Sequence, residues 1–476
     1  MEATAHRTKL LSGPAAFVLI LLALLAIWRF GPVTPTQAAA LAIAILFLLG
    51  LKRPVWVMAG LLVSVLTLNN SMVHLTSSFE ISLRLLLAIL AWVIVLITSG
   101  LKGIQIGPKA GRILAPFFIL VVIVIISNSA NSGMGDAFKD SRQWAAALMI
   151  ALLLPTVVRN LKDLKIICGV ALVCLTASAA IAIMQHYNFL GMNQHTLTGF
   201  DIVRWARSSG MAESPLELSF VLASALPLIL GTYLFGGIKA DTRLFVVVTM
   251  ILMVLGAYYT YTRSALMALA LGVVALSMLV GSRLRIRILL LLLLLGSVML
   301  LVSYAHDTRL TTTSDSSAAD RAVLTQAGYD IARDHPIIGI GPYNWKSVSL
   351  QYAGEIDPAA MERAGAGEDL GQDQPHNDFI LLAACYGIPA LIVFIWLIAV
   401  VLLSIRDTLR LTSRRFLKGF SIGLFSAVIA YLVNAYYHNC LNDMPLIWVL
   451  VGFSLAAAKL TVTDRKILGN SNGIVS

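Results

Sequence analysis

Apolar runs of about 20 residues recur along this chain, the length a helix needs to cross roughly 30 Å of hydrocarbon. Ile288–Leu295 is apolar on every side, so it has no polar face to turn to water and suits lipid better than a one-sided core. Composition agrees. Of 476 residues, 58% are hydrophobic and 12% charged, and mean hydropathy is +0.85, whereas a soluble domain carries about 25% charged residues. The expected fold is all-α: a polytopic integral membrane protein with about 12–14 transmembrane helices and one long, partly helical loop on the non-cytoplasmic side.

Fourteen candidate spans fall near 14–31, 36–51, 54–69, 81–99, 113–127, 143–158, 166–185, 215–236, 243–260, 264–281, 286–304, 377–404, 416–437 and 444–460. They divide the chain into a first helical region (1–304), a long loop (305–376) and C-terminal spans with a tail (377–476). Arg7 and Lys9 precede the first apolar run as in a leader peptide, but no cleavage site follows, so a retained span is expected. With the N-terminus in the cytoplasm, cytoplasmic segments hold 23 of the 35 Lys and Arg. Five of the others (Arg309, Arg321, Arg333, Lys346, Arg363) lie in the long loop, which crosses regardless of charge. Both termini are thus expected in the cytoplasm. The net charge of +11 is this topological excess and not a nucleic-acid footprint, since no basic stripe interleaves with aromatics. Cys168, Cys174, Cys385 and Cys440 lack CxxC spacing and mostly sit in apolar runs, as small core residues do.

This orientation places every histidine except His6 at the non-cytoplasmic face, with Arg204, Arg207, Arg263 and the long loop. Within that loop Ser317 caps an expected helix whose stripe is Leu324, Ala327, Gly328 and Ile331, and Pro336 ends it. Gly339, Gly341 and Pro342 predict a tight turn. GIGPYN lacks the third glycine and the context of a dinucleotide site. The acidic stretch 355–373 is read as a flap.

His376, in QPHNDF, starts the twelfth span. The positive end of a helix dipole disfavours its protonation there, and a neutral imidazole is what a general base requires; an interfacial cap is the competing reading. Arg263 occupies a very short outside loop, where positive charge is disfavoured. It and Arg207 present planar forks that match phosphate oxygens. Ion pairs compete with that reading, for Arg207 with Glu213 or Glu217 and for Arg263 with a carboxylate of the long loop. Arg204, His335 and His438 are further candidates. There is no HExxH, no DxD and no carboxylate–histidine cluster at ligand spacing, so no metal site and no cofactor is expected.

Four blocks in order, RSSGMAESPLELSFVLASALPL, YTRSALMALALG, GYDIARDHPIIGIGPYNW and PHNDFILLAACYGIPAL, resemble the bacterial O-antigen ligase and O-antigen polymerase superfamily. The ligase signature runs His-Asn, nine residues, Gly, two residues, then Gly, Thr or Tyr. His376, Asn377 and Gly387 fit it, and Ala390 departs at its last position. The resemblance implies a metal-independent, inverting membrane glycosyltransferase of the inner membrane, using a glycan on undecaprenyl pyrophosphate at the periplasmic face. Arg207 and Arg263 would hold the pyrophosphate, and His376 would orient or deprotonate the acceptor hydroxyl. Arg204, Asn377, His335 and His438 are the further candidates for substrate contact, with an aromatic-belt or capping role competing for His438. The acceptor would be lipid A core for a ligase or a second lipid-linked glycan for a polymerase. A lipid-linked sugar transporter or flippase is the rival of another class, but span interiors almost free of charge argue against it.

Overall fold

The computed structural model describes residues 45–67, 72–76, 79–107, 110–189, 195–196, 206–305, 316–358, 375–443 and 445–472. Its helices are α1 (Val55–Thr67), α2 (Leu83–Ser99), α3 (Ala110–Ser132), α4 (Met134–Val157), α5 (Leu161–His186), α6 (Pro215–Phe235), α7 (Ala240–Tyr259), α8 (Arg263–Met278), α9 (Ser282–Ala305), α10 (Ser316–Asp334), α11 (Trp345–Ile356), α12 (Ile388–Leu411), α13 (Arg415–Tyr437) and α14 (Leu446–Asn472). Among the described residues, eight helices (α3, α5, α6, α7, α9, α12, α13 and α14) are long and apolar enough to cross a membrane, and shorter apolar helices lie within α1, α2, α4 and α8. The architecture is all-α and polytopic. Two short antiparallel pairs interrupt it: β1 (Met72–Thr76) with β2 (Phe79–Ser82), and β3 (His195–Thr196) with β4 (Ala206–Arg207). The expected span 14–31, and 36–51 up to residue 44, lie outside the described residues, as does most of the expected flap.

Local chemistry starts these helices where the chain needs them. Asn160 Oδ1 accepts from the amides of Lys162 and Asp163 to open α5. Ser214 Oγ accepts from Glu217 N to open α6, with Pro215 in its first turn. Small residues then decide packing. Apolar side chains gain little by leaving lipid for each other, so close backbone approach has to supply the contact. α6 and α13 cross on glycines: a Cβ placed on Gly231 would lie 2.5 Å from Gly423 N and 3.0 Å from Gly419 O. Elsewhere Phe117, Trp144 and Trp448 join α3, α4 and α14 through ring contacts of 5.0 to 6.4 Å.

One end of the bundle is basic and cross-tied. Arg53 pairs with Asp163 at 2.8 Å and Arg414 with Asp464 at 3.0 Å. Arg159 donates to Ser99 Oγ, and Lys459 Nζ donates to the Pro155 and Val158 carbonyls at the end of α4. The opposite end collects the last turns of α5, α7 and α13 and the first turns of α6 and α8.

One expected span is corrected. The run 377–404 is not one helix: a turn at Asp378–Ile380 passes into a π turn at Leu381–Cys385, and α12 begins only at Ile388. The reason is Gly387, held at φ +91°, where a side chain would run into the Ile337 carbonyl. The long-loop segment after α10 lies along this break. Ile340 N donates to Ala384 O (3.0 Å), Gly341 N to Cys385 O (2.8 Å) and Ile388 N to Pro336 O (2.8 Å), and Ser127 Oγ from α3 also donates to Cys385 O (2.9 Å). Gly339, at φ +69°, permits the approach, since a Cβ there would sit 2.5 Å from Cys385 C and O.

The glycine crossing yields a test. Gly231→Leu is expected to cost about 1–3 kcal/mol or more through overpacking, seen as a lower Tm in detergent. Gly281→Leu, where nothing lies within 4 Å, leaves Tm within error. Equal Tm values would overturn the close-crossing account.

Candidate active site at the end of the bundle

The turn between α7 and α8 organises the site. Arg207 is buried on β4. Its Nε donates to Thr260 O at 2.7 Å and its Nη2 to Thr262 Oγ1 at 2.8 Å. Ser208 N donates to Tyr259 O at 3.1 Å. Gln185 at the end of α5 steadies the same segment, its Oε1 accepting from Ser209 N and Gly210 N. Arg263 follows Thr262 as the first residue of α8 and is exposed. The next residue, Ser264, reaches His438 Nε2 at 2.9 Å. Thus three consecutive residues serve Arg207, carry an exposed guanidinium and hold His438.

His438 ends α13 and is 4% exposed. Its Nδ1 is buried without a hydrogen-bond partner among the described residues. The His376 ring stands edge-on to it, with centroids 5.8 Å apart. Burial first, and then the Arg321 guanidinium, push His376 down to about 4 from an ordinary 6.5. His438 lies well below its ordinary value through burial, followed by the charges of Arg321, His376 and Arg207. Both imidazoles are therefore neutral at pH 7. The direction agrees with the sequence reading, and burial and a nearby cation are its causes.

The backbone beneath His376 is pinned. Asn377 Oδ1 accepts from Phe379 N and Ile380 N, and Asn377 N donates to Asn439 Oδ1. The buried Asp378 carboxylate accepts from Cys440 N and Leu441 N, both at 3.1 Å. It thereby ties the His376 turn to the segment directly after His438.

The structure sets His376 against His438, whose proton affinity Arg207 also lowers, and places Arg263 between the residues that hold Arg207 and His438. Asn377 is spent on a cap. His335 is exposed after α10, where its charge acts on Asp334, and no hydrogen bond or ring contact joins it to the histidine pair among the described residues. Arg204 lies outside the described residues. Arg321, Ser264, Thr262 and Asp378 were missed. Arg321 was detectable: it falls on the docking stripe of α10 at i, i+3, i+7 and i+10 with Leu324, Gly328 and Ile331. No group of three or more His, Cys, Asp and Glu side chains suited to a metal gathers among the described residues.

Asp378→Ala strips the amides of Cys440 and Leu441 of their acceptor, which costs about 1–3 kcal/mol per unsatisfied buried group. A Tm several degrees lower in detergent is expected. An unchanged Tm would show that the two segments are held together some other way.

Residues 248–395 match the family model described as O-Antigen ligase, while no curated protein matches the chain. The matched stretch includes Arg263, Arg321 and His376 and leaves Arg207 and His438 outside it. Over that part this polytopic membrane protein is similar to the O-antigen ligase family, which lies within the superfamily that its four sequence blocks resemble.

Proposed function

We propose that the protein transfers a glycan from undecaprenyl pyrophosphate to an acceptor hydroxyl, as an O-antigen ligase-like glycosyltransferase. The observation that carries this reading is the meeting of neutral histidines with arginines at one end of an apolar bundle, together with the family match. The basic end lies in the cytoplasm with both termini, because Lys and Arg mark cytoplasmic loops. The site then faces the periplasm, where a lipid-tailed donor lies against apolar helices.

In the reaction the acceptor oxygen attacks the anomeric carbon. A new glycosidic C–O bond forms as the bond to the pyrophosphate oxygen breaks, with inversion. The leaving oxygen takes the electron pair, and Arg207 and Arg263 stabilise its charge as it develops. The hydroxyl proton passes to His376. An imidazole at about 4 is a weak base in the empty site. A bound pyrophosphate offsets the arginine charges and raises it, so the base strengthens when the donor arrives. His438, fixed by Ser264, lines the same space. Ala390 departs from the ligase signature at its last position, so polymerisation onto a second lipid-linked glycan is the alternative to transfer to lipid A core.

The break before α12 is a discontinuous helix of the sort transporters use, but it precedes the span and does not divide it. Surface chemistry is the better fit.

Reconstituted protein given undecaprenyl-pyrophosphate glycan is expected to extend it, or to load lipid A core, in the presence of EDTA. His376→Ala and Arg263→Ala each reduce transfer about 10²-fold or more. Full activity in both variants would sink the mechanism. The kcat/KM profile of the wild type is expected to keep its acid limb near pH 4, with the limb of kcat displaced upward. A kcat/KM limb at 6.5 would show that His376 is not the titrating group.

A further inference from the structure

Beside the arginines stands an aromatic group to which the proposed chemistry gives no task. The His186 ring lies flat on Tyr259, with centroids 4.0 Å apart and planes 17° from parallel. Tyr187 stands edge-on to both, at 4.9 and 5.8 Å, and its hydroxyl is 2.8 Å from that of Tyr259. Tyr261 closes the group behind, 6.1 Å from His186. Tyr187 is nevertheless 67% exposed. Its ring is thus oriented by two neighbours and a hydrogen bond while remaining open to solvent.

The backbone here is also unusual. Asn188 (φ +51°) and Tyr261 (φ +49°) are the two non-glycine residues with positive φ among the described residues, and both border this group. Asparagine tolerates that region, but a bulky tyrosine in it is an outlier, costing about 1 kcal/mol or more. Such strain gathers where a particular placement is needed. The placement is tied to the arginines, since the strained turn 260–262 supplies two acceptors of Arg207, and Gln185, two residues before Tyr187, holds Ser209 and Gly210.

We propose that Tyr187, held by His186 and Tyr259, is a carbohydrate-stacking platform that seats a pyranose ring of a glycan substrate next to Arg207 and Arg263. A pyranose turns a face of axial C–H groups to an aromatic ring, and a ring already fixed loses little entropy on binding. An aromatic at the membrane interface for anchorage alone has no need of an oriented ring or of strain in the turn beneath it. The donor and the acceptor both carry pyranoses, and the experiment separates them. That the ligand is a glycan rests on the function proposed above; the fixed, open ring does not.

Affinity would be measured for undecaprenyl-pyrophosphate glycan, for undecaprenyl pyrophosphate without sugar, and for acceptor oligosaccharide, using wild type, Tyr187→Ala and Tyr187→Trp. Tyr187→Ala is expected to weaken one glycan-bearing ligand about tenfold, to leave the sugar-free lipid unchanged, and to be rescued by tryptophan. The ligand affected identifies the ring seated. Equal weakening of sugar-bearing and sugar-free lipid, or no weakening of any ligand, overturns the platform. Should the sugar-free lipid not bind wild type at all, the pyrophosphate reading falls. The platform is then decided by the water-soluble oligosaccharide released from the donor by mild acid: loss of its binding in Tyr187→Ala supports it, and equal binding to both proteins overturns it.

Discussion

A peptide chain that breaks a helix at the edge of a membrane has to find donors and acceptors for the backbone groups it frees, because lipid offers none. The break between Cys385 and Ile388 is met in this way. Amides of Ile340 and Gly341 and the hydroxyl of Ser127 satisfy the carbonyls of Ala384 and Cys385, and Pro336 O receives Ile388 N. The long loop and the span that follows it therefore form one unit. α10 is drawn over the site by the same union, its Gly328 pressed against Ile380, and that contact carries Arg321 to the histidines.

Electrostatics depends on this geometry. Arg321 lowers the proton affinity of His376 and His438 alike, and Arg207 adds to the effect at His438. Burial and the cations together hold both imidazoles in the neutral form. Arg207 is kept in place by an acceptor carbonyl and a hydroxyl on the α7–α8 turn, while Asp378 secures the two histidine segments to each other through backbone amides. Its carboxylate is spent on position, which is why a residue beside the HN motif belongs to the framework.

Much of this was legible one residue at a time. Apolar length located the helices because hydrocarbon thickness is a fixed ruler. The stripe Leu324, Ala327 and Ile331 gave the loop helix, and all three are buried as that periodicity demands. Arg207, His376 and His438 were assigned to one face by alternation of loops; the two histidine rings stand together, and the charge of Arg207 reaches His438. The break at Gly387 was hidden inside the apolar run Phe379–Val401, although Gly-Ile-Pro stood in plain view. Apolarity says nothing about whether a helix continues. Arg321 looked like one loop charge among five, because spacing shows which face a residue occupies but not what that face meets.

The sequence by itself thus determined that the chain is a membrane bundle, where most spans lie, and which polar residues share an end, since hydropathy and charge act locally and add along the chain. The tertiary structure alone decided that α6 and α13 touch through glycines, that burial and Arg321 lower the proton affinity of His376, and that Asn377 and Asp378 brace the site. Each of those depends on groups far apart in sequence coming within a few ångströms, and no local pattern encodes a distance.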